Sequence, residues 1–197
     1  MNLPNQLTIS RFILTVAFLA VIFSGFPYHE TMGLLLFSAA SLTYYFDGKI
    51  ARRDKLITNF GILMDPLADK ILVCSAFIAF VDRGWMQGWM VVIIVARELA
   101  ITGLRLLAAS KNVVLAAEVY GKHKTIAQIV AIISMLILKS YAQWDGFGQM
   151  VFGFAILDHR PWVGDFAIFS KWVAVALTFV SGGLYLWRNR ALYLEDL

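Results

Sequence analysis

Six apolar stretches constrain this chain more than any other feature. They run at about 9–25, 31–50, 65–82, 87–109, 122–142 and 163–187, and each is long enough to cross roughly 30 Å of hydrocarbon. A backbone amide left unpaired in lipid costs several kcal/mol, about as much as a buried unpaired polar group, so an open strand cannot span. The expectation is therefore an all-α, polytopic membrane protein: six transmembrane helices, preceded by a short N-terminal interfacial helix capped through Leu3-Pro4-Asn5 and Thr8. Composition agrees. Apolar residues make up 60% and charged residues 15% of the 197, against about 25% charged in a soluble domain. A further apolar piece, Phe147–Leu157, is too short to span and is expected to lie at the surface or re-enter. The single cysteine, Cys74, excludes an internal disulfide and reads as a small hydrophobe.

The positive residues set the orientation. Arg11, Lys49, Arg52, Arg53, Lys55, Arg105, Lys111, Lys122, Lys124, Arg188 and Arg190 gather on one side, against Arg83, Lys139 and Arg160 on the other. That bias places the first set, and both termini, in the cytoplasm. The net charge of +4 then reads as topology and contact with anionic membrane lipid, with no nucleic acid implied. Trp85, Trp89, Trp144 and Trp162 fit interface anchors, and Gly182-Gly183 fits close helix packing.

Against this background the segment Asp47–Lys70, DGKIARRDKLITNFGILMDPLADK, stands out for its ionisable groups. Carboxylates at membrane level cost about 2.5–3.5 kcal/mol on insertion scales and normally face a polar cavity, a partner or a metal. Asp65 and Asp69 are four apart, so a helix stacks them on one face, where they repel unless a cation intervenes. Oxygen-only ligands suit Mg²⁺ or Mn²⁺. With Arg52, Arg53 and Lys55 to meet phosphate oxygens, and Gly48 and Gly61 for close approach, the segment suggests phosphoryl chemistry.

Asp47-Gly48, Ala51-Arg52, Gly61, Asp65 and Asp69 resemble the signature of the CDP-alcohol phosphotransferase family, D-x2-D-G-x2-A-R-x8-G-x3-D-x3-D. One position departs: where that pattern has its first aspartate, this chain has Tyr44, a phenol of ordinary pKa about 10 and a poor ligand for Mg²⁺. The resemblance implies a single membrane domain over residues 1–197, often homodimeric, that acts on CDP-diacylglycerol. It further implies that Asp47, Asp65 and Asp69 hold the cation and that Gly48, Ala51 and Arg52 line the CMP portion. Asp69 would be the general base, and Tyr44 would weaken the metal site.

Two further segments resemble the phosphatidylglycerophosphate synthases of that family. Asn5, Thr8 and Arg11 are similar to the N-terminal residues that help enclose the nucleotide. Ala96-Arg97-Glu98 followed by Leu104-Arg105, and then Gly121-Lys122-His123-Lys124-Thr125, are similar to the region that holds the phosphate of glycerol 3-phosphate. On this likeness Arg105, Lys122 and Lys124 bind the acceptor phosphate. Arg97 and Glu98 have a plainer reading as an internal ion pair. The implied reaction is transfer of the phosphatidyl group from CDP-diacylglycerol to glycerol 3-phosphate. The alternatives are the same chemistry with inositol phosphate, serine or phosphatidylglycerol as acceptor, and a CDP-lipid-binding form without turnover.

Overall fold

A computed structural model describes the chain apart from residues 1–2, 55–58, 112, 114, 116–119, 156–159 and 195–197; side chains at 3–4, 7, 44–54, 59–63, 65 and 120–122 also fall outside the description. The described residues form α1 (Leu3–Ser24), α2 (His29–Asp54), α3 (Asn59–Asp82), α4 (Gly88–Ser110), α5 (Tyr120–Ser140), a 3₁₀ turn (Tyr141–Trp144), α6 (Asp145–Phe152), α7 (Trp162–Arg188) and α8 (Ala191–Leu194). The only other pairing among them is an isolated bridge between Ala155 and Pro161. The fold is all-helical, as the apolar stretches require.

The helix ends follow local chemistry. Pro4 lies in the first turn of α1, where the N–H it lacks would have had no helical partner. The expected interfacial helix is therefore not a separate element. Nothing breaks the chain between Pro4 and the apolar run, and its residues form the first turns of α1. At the other end Gly25 takes φ +69°, the left-handed conformation that stops a helix at little cost when the residue is glycine. Pro66 lies inside α3, between Asp65 and Asp69, and removes the N–H that would serve the Ile62 carbonyl.

Cross-helix contacts fix the directions. Phe18 meets Phe37 with ring centroids 5.7 Å apart, and Gly33 admits Ile22, which makes α1 and α2 antiparallel. Gln128 donates to Thr178 at 2.9 Å and Ser134 bonds Ser170 at 2.7 Å, so α5 and α7 run antiparallel with buried polar pairs as the interhelical link. The helices alternate, and two ends result. At one, Arg83 donates to the Ile22 carbonyl, Gln143 joins Thr31 to Glu30, and Lys139 lies 5.5 Å over the Trp85 ring. At the other lie the first turns of α1, α3 and α5 and the last turns of α2, α4 and α7. Between the ends, Phe18, Ile22, Phe37, Phe77, Phe80, Ile94, Ile132 and Leu136 form the core.

The outside is apolar too: Ile13, Val16, Val92, Leu99, Leu106, Phe169 and Phe179 are all well exposed. Aliphatic and aromatic side chains at this density around the girth suit a hydrocarbon solvent. By length and composition, two helical stretches can cross a membrane, His123–Phe152 and Trp162–Arg188. The expectation of six goes further; α3 and α4 carry Asp69, Lys70, Arg97, Glu98 and Arg105 inside their apolar runs. The backbone turns at Asp145, φ 50°, so α6 folds against the 3₁₀ turn with Phe147 and Met150 exposed.

Gly182 and Gly183 divide. A Cβ on Gly182 would lie 2.6 Å from Cγ of Arg97, whereas one on Gly183 would meet nothing within 4 Å. Arg97 thus crosses α7 on bare backbone. Gly182→Ala is expected to lower stability by about 1–3 kcal/mol through overpacking, and Gly183→Ala to leave it unchanged or raise it by about 0.5–1 kcal/mol. Thermal unfolding in detergent reads both; equal shifts would contradict this account.

Candidate functional site

At the polar end, four helices bring charged side chains together across what is otherwise an apolar bundle. Asp69 extends from α3 to α1, where Arg11 Nη1 pairs with its Oδ1. Arg11 is 1% exposed and Asp69 29%, so a buried guanidinium anchors a carboxylate that still reaches the surface. Thr8 is buried one turn before Arg11, and Thr15 ties back to the Arg11 carbonyl at 2.8 Å. The structure thereby joins two segments that the sequence holds 58 residues apart.

Glu98 on α4 is the second centre. It is buried, and its Oε1 accepts from Lys124 of α5 and, at 3.4 Å, from the neighbouring Arg97. Lys124, expected as a phosphate-binding cation, is itself buried in this pair. The plainer reading of Arg97 and Glu98 therefore describes what they do here, with Lys124 as the unforeseen third member. A turn further on, Thr102 donates to the Glu98 carbonyl at 2.7 Å and accepts from Lys70 of α3 at 2.6 Å. Arg105 is exposed; its Nε lies 3.4 Å from the Tyr185 hydroxyl on α7 and its guanidinium 5.8 Å from that ring.

Breaking the buried pair from one side should be costly. Glu98→Ala leaves Lys124 charged without its carboxylate, and about 3–5 kcal/mol of destabilisation is expected. Changing both partners, Glu98→Leu with Lys124→Met, should recover part of that loss, because the buried lysine is no longer stranded while Arg97 still loses its carboxylate. Unfolding of the single and double variants checks the pattern.

The other expected site residues fall differently. Asn5 is half-buried in the first turns of α1. The side chains of Tyr44, Asp47, Gly48, Ala51, Arg52, Asp65 and Lys122 lie outside the described residues. Their backbones place the first five in the second half of α2, Asp65 one turn before Asp69 on α3, and Lys122 in the first turn of α5. Among the described residues no three His, Cys, Asp or Glu side chains gather as a metal would need; of the expected ligands, only Asp69 is among them. Lys70, Thr102 and Tyr185 belong to none of the sequence motifs, yet the structure brings them to this end. The stripe Glu98, Thr102, Arg105, at i, i+4 and i+7, was available as a signal; Lys70 reaching α4 was not.

Comparison with known proteins gives the family of the chain. The pattern of the CDP-alcohol phosphatidyltransferases matches residues 1–180. The chain is similar to a CDP-diacylglycerol–glycerol-3-phosphate 3-phosphatidyltransferase of Bacillus subtilis (strain 168), 40% identical over 200 residues that cover 95% of each chain. Enzymes of the same name from Rickettsia bellii (strain RML369-C) and Mycoplasma pneumoniae (strain ATCC 29342) are also similar. The first is 34% identical over 184 residues and 93% of both chains. The second is 31% identical over 206 residues, 93% of this chain and 86% of the relative.

Proposed function

We propose, from the premise that this chain belongs to the CDP-alcohol phosphatidyltransferase family, that it transfers the phosphatidyl group of CDP-diacylglycerol to glycerol 3-phosphate, giving phosphatidylglycerol phosphate and CMP. The observation that carries this reading is the joining of Asp69, last residue of the signature, to Arg11 at the end of the bundle where Lys70, Arg105 and Lys124 also stand. A carboxylate beside several cations is what proton removal from an anionic acceptor requires.

In this reading residues 1–197 form one membrane domain of six spans, with the site and both termini on the cytoplasmic side, supported by the lysine and arginine bias. A homodimer is part of it by family likeness. Asp69, ionised, takes the proton of the acceptor hydroxyl as that oxygen attacks the lipid-linked phosphorus; the phosphoanhydride bond to CMP breaks and CMP departs with the electron pair. Arg11 holds the base in place. Asn5 and Thr8, with Gly48, Ala51 and Arg52, enclose the nucleotide; Arg105 and Lys122 draw in the acceptor phosphate, with Lys124 held behind them by Glu98. The donor chemistry of Asp47, Asp65 and Asp69 is all hard oxygen, and the Asp69 carboxylate is partly exposed, which fits Mg²⁺ or Mn²⁺. Such a cation, when bound, offsets the charge of the diphosphate and of the departing CMP.

The test is transfer of labelled glycerol 3-phosphate into lipid by the purified protein with CDP-diacylglycerol and Mg²⁺, with CMP measured alongside. One CMP per labelled lipid is expected. Label entering lipid only from inositol phosphate, serine or phosphatidylglycerol would replace the acceptor named here.

A further inference from the structure

Lys70, a cation of the polar end, has no part in the proton transfer described above. Lys70 directly follows Asp69, yet the two side chains leave α3 for different neighbours: Asp69 meets Arg11 on α1, and Lys70 reaches across to α4. There its Nζ donates to the Thr102 hydroxyl at 2.6 Å. That hydroxyl is fixed in turn, because its own proton is committed to the Glu98 carbonyl at 2.7 Å. Thr102 lies one turn from Glu98 and one turn from Arg105 on the same stripe of α4. The bond therefore carries the ammonium to the middle of a row that has the Glu98 carboxylate at one end and the Arg105 guanidinium at the other. Glu98, Arg105, Arg97 and Asp69 are all within electrostatic reach of Lys70.

Its bonding differs from that of its neighbours. Lys124 and Arg97 each have the Glu98 carboxylate as partner. Among the described residues the hydrogen-bond partner of Lys70 is a neutral hydroxyl, and an ammonium has three protons to donate. A half-buried cation with donors to spare, bonded to a residue one turn from Arg105 and adjacent in sequence to the base, is suited to an anion that comes in beside the base.

We propose that Lys70 binds the phosphate of the acceptor and that Thr102 is the residue that positions it there. This rests on the reading above that the acceptor is a phosphomonoester. The Thr102 bond also draws the ammonium onto α4, away from the Asp69–Arg11 pair on the α1 side. The competing account is a plain interhelical hydrogen bond that fastens α3 to α4.

Kinetics of the full chain in mixed micelles separate the two. Lys70→Met is expected to raise KM for glycerol 3-phosphate about tenfold or more, the loss expected for a charged hydrogen bond, and to weaken inhibition by inorganic phosphate to the same degree. KM for CDP-diacylglycerol should stay within about twofold. Thr102→Val should move the acceptor KM in the same direction by about threefold, and Thr102→Ser, which keeps the hydroxyl, should restore it. These threonine variants carry the test alone if Lys70→Met fails to fold. Lys70→Met kinetics unchanged for the acceptor, or both KM values shifted alike, would overturn the proposal, as would a Thr102→Ser protein no better than Thr102→Val. A wild type that turns over only phosphate-free acceptors would remove the functional reading and this inference together. A wild type active on glycerol 3-phosphate, with indifferent variants, would remove this inference only.

Discussion

Asp69→Asn is expected to lower turnover about 10³-fold, the central value for losing a general base, with the protein still folded. The amide cannot take the proton of the acceptor hydroxyl, and it contributes no charge to a cation. The sequence alone gave no reason to expect a stability cost. The structure does: Arg11 is almost fully buried and Asp69 is its counter-ion. An asparagine oxygen can still accept from the guanidinium, so the loss should be about 1–3 kcal/mol, less than the figure for stranding a charge with no acceptor. CMP release and thermal unfolding, measured on one preparation, test the two statements separately. Turnover within tenfold of wild type would remove Asp69 from the role of base, whatever happened to stability.

The second large effect concerns Tyr44. It lies on α2 three residues before Asp47, so helical spacing puts both positions on one face. The family signature has an aspartate there, and a carboxylate is a far better ligand for Mg²⁺ than a neutral phenol. Tyr44→Asp is expected to tighten Mg²⁺ binding and to raise turnover at limiting metal, each by about tenfold or more. Titration of activity with Mg²⁺, together with calorimetry of metal binding, reads both. A variant indistinguishable from the parent in both would sink the assignment of position 44 to the metal shell.

Much of the fold is legible in the sequence because lipid leaves the backbone little choice. The helices begin and end within a few residues of the apolar runs at both the amino- and carboxyl-terminal ends. The exceptions have local causes. α3 starts at Asn59, ahead of its apolar run, since a proline is tolerated inside it, and α1 absorbs the polar N-terminal turns because Pro4 sits where a helix accepts one. The site was less legible. Signature spacing marks Asp69, but nothing in it shows that Arg11 on another helix will be its partner. Lys124 reads from the sequence as a phosphate-binding cation, whereas the structure buries it against Glu98; that pairing depends on how α4 and α5 cross, which spacing along one helix does not encode. Gly182 was read as close packing; that the object packed is the stem of Arg97 emerges only from the tertiary arrangement.

The buried carboxylate of Glu98, shared by Arg97 and Lys124, limits how this enzyme could be converted to an acceptor without a phosphate. Deleting the cations one by one would leave that acid without counter-charge in a poorly polarisable interior, and each intermediate would be less stable than either endpoint. A workable route has to retire Glu98 in the same step as its lysine, so acceptor preference in this fold should change by paired substitutions.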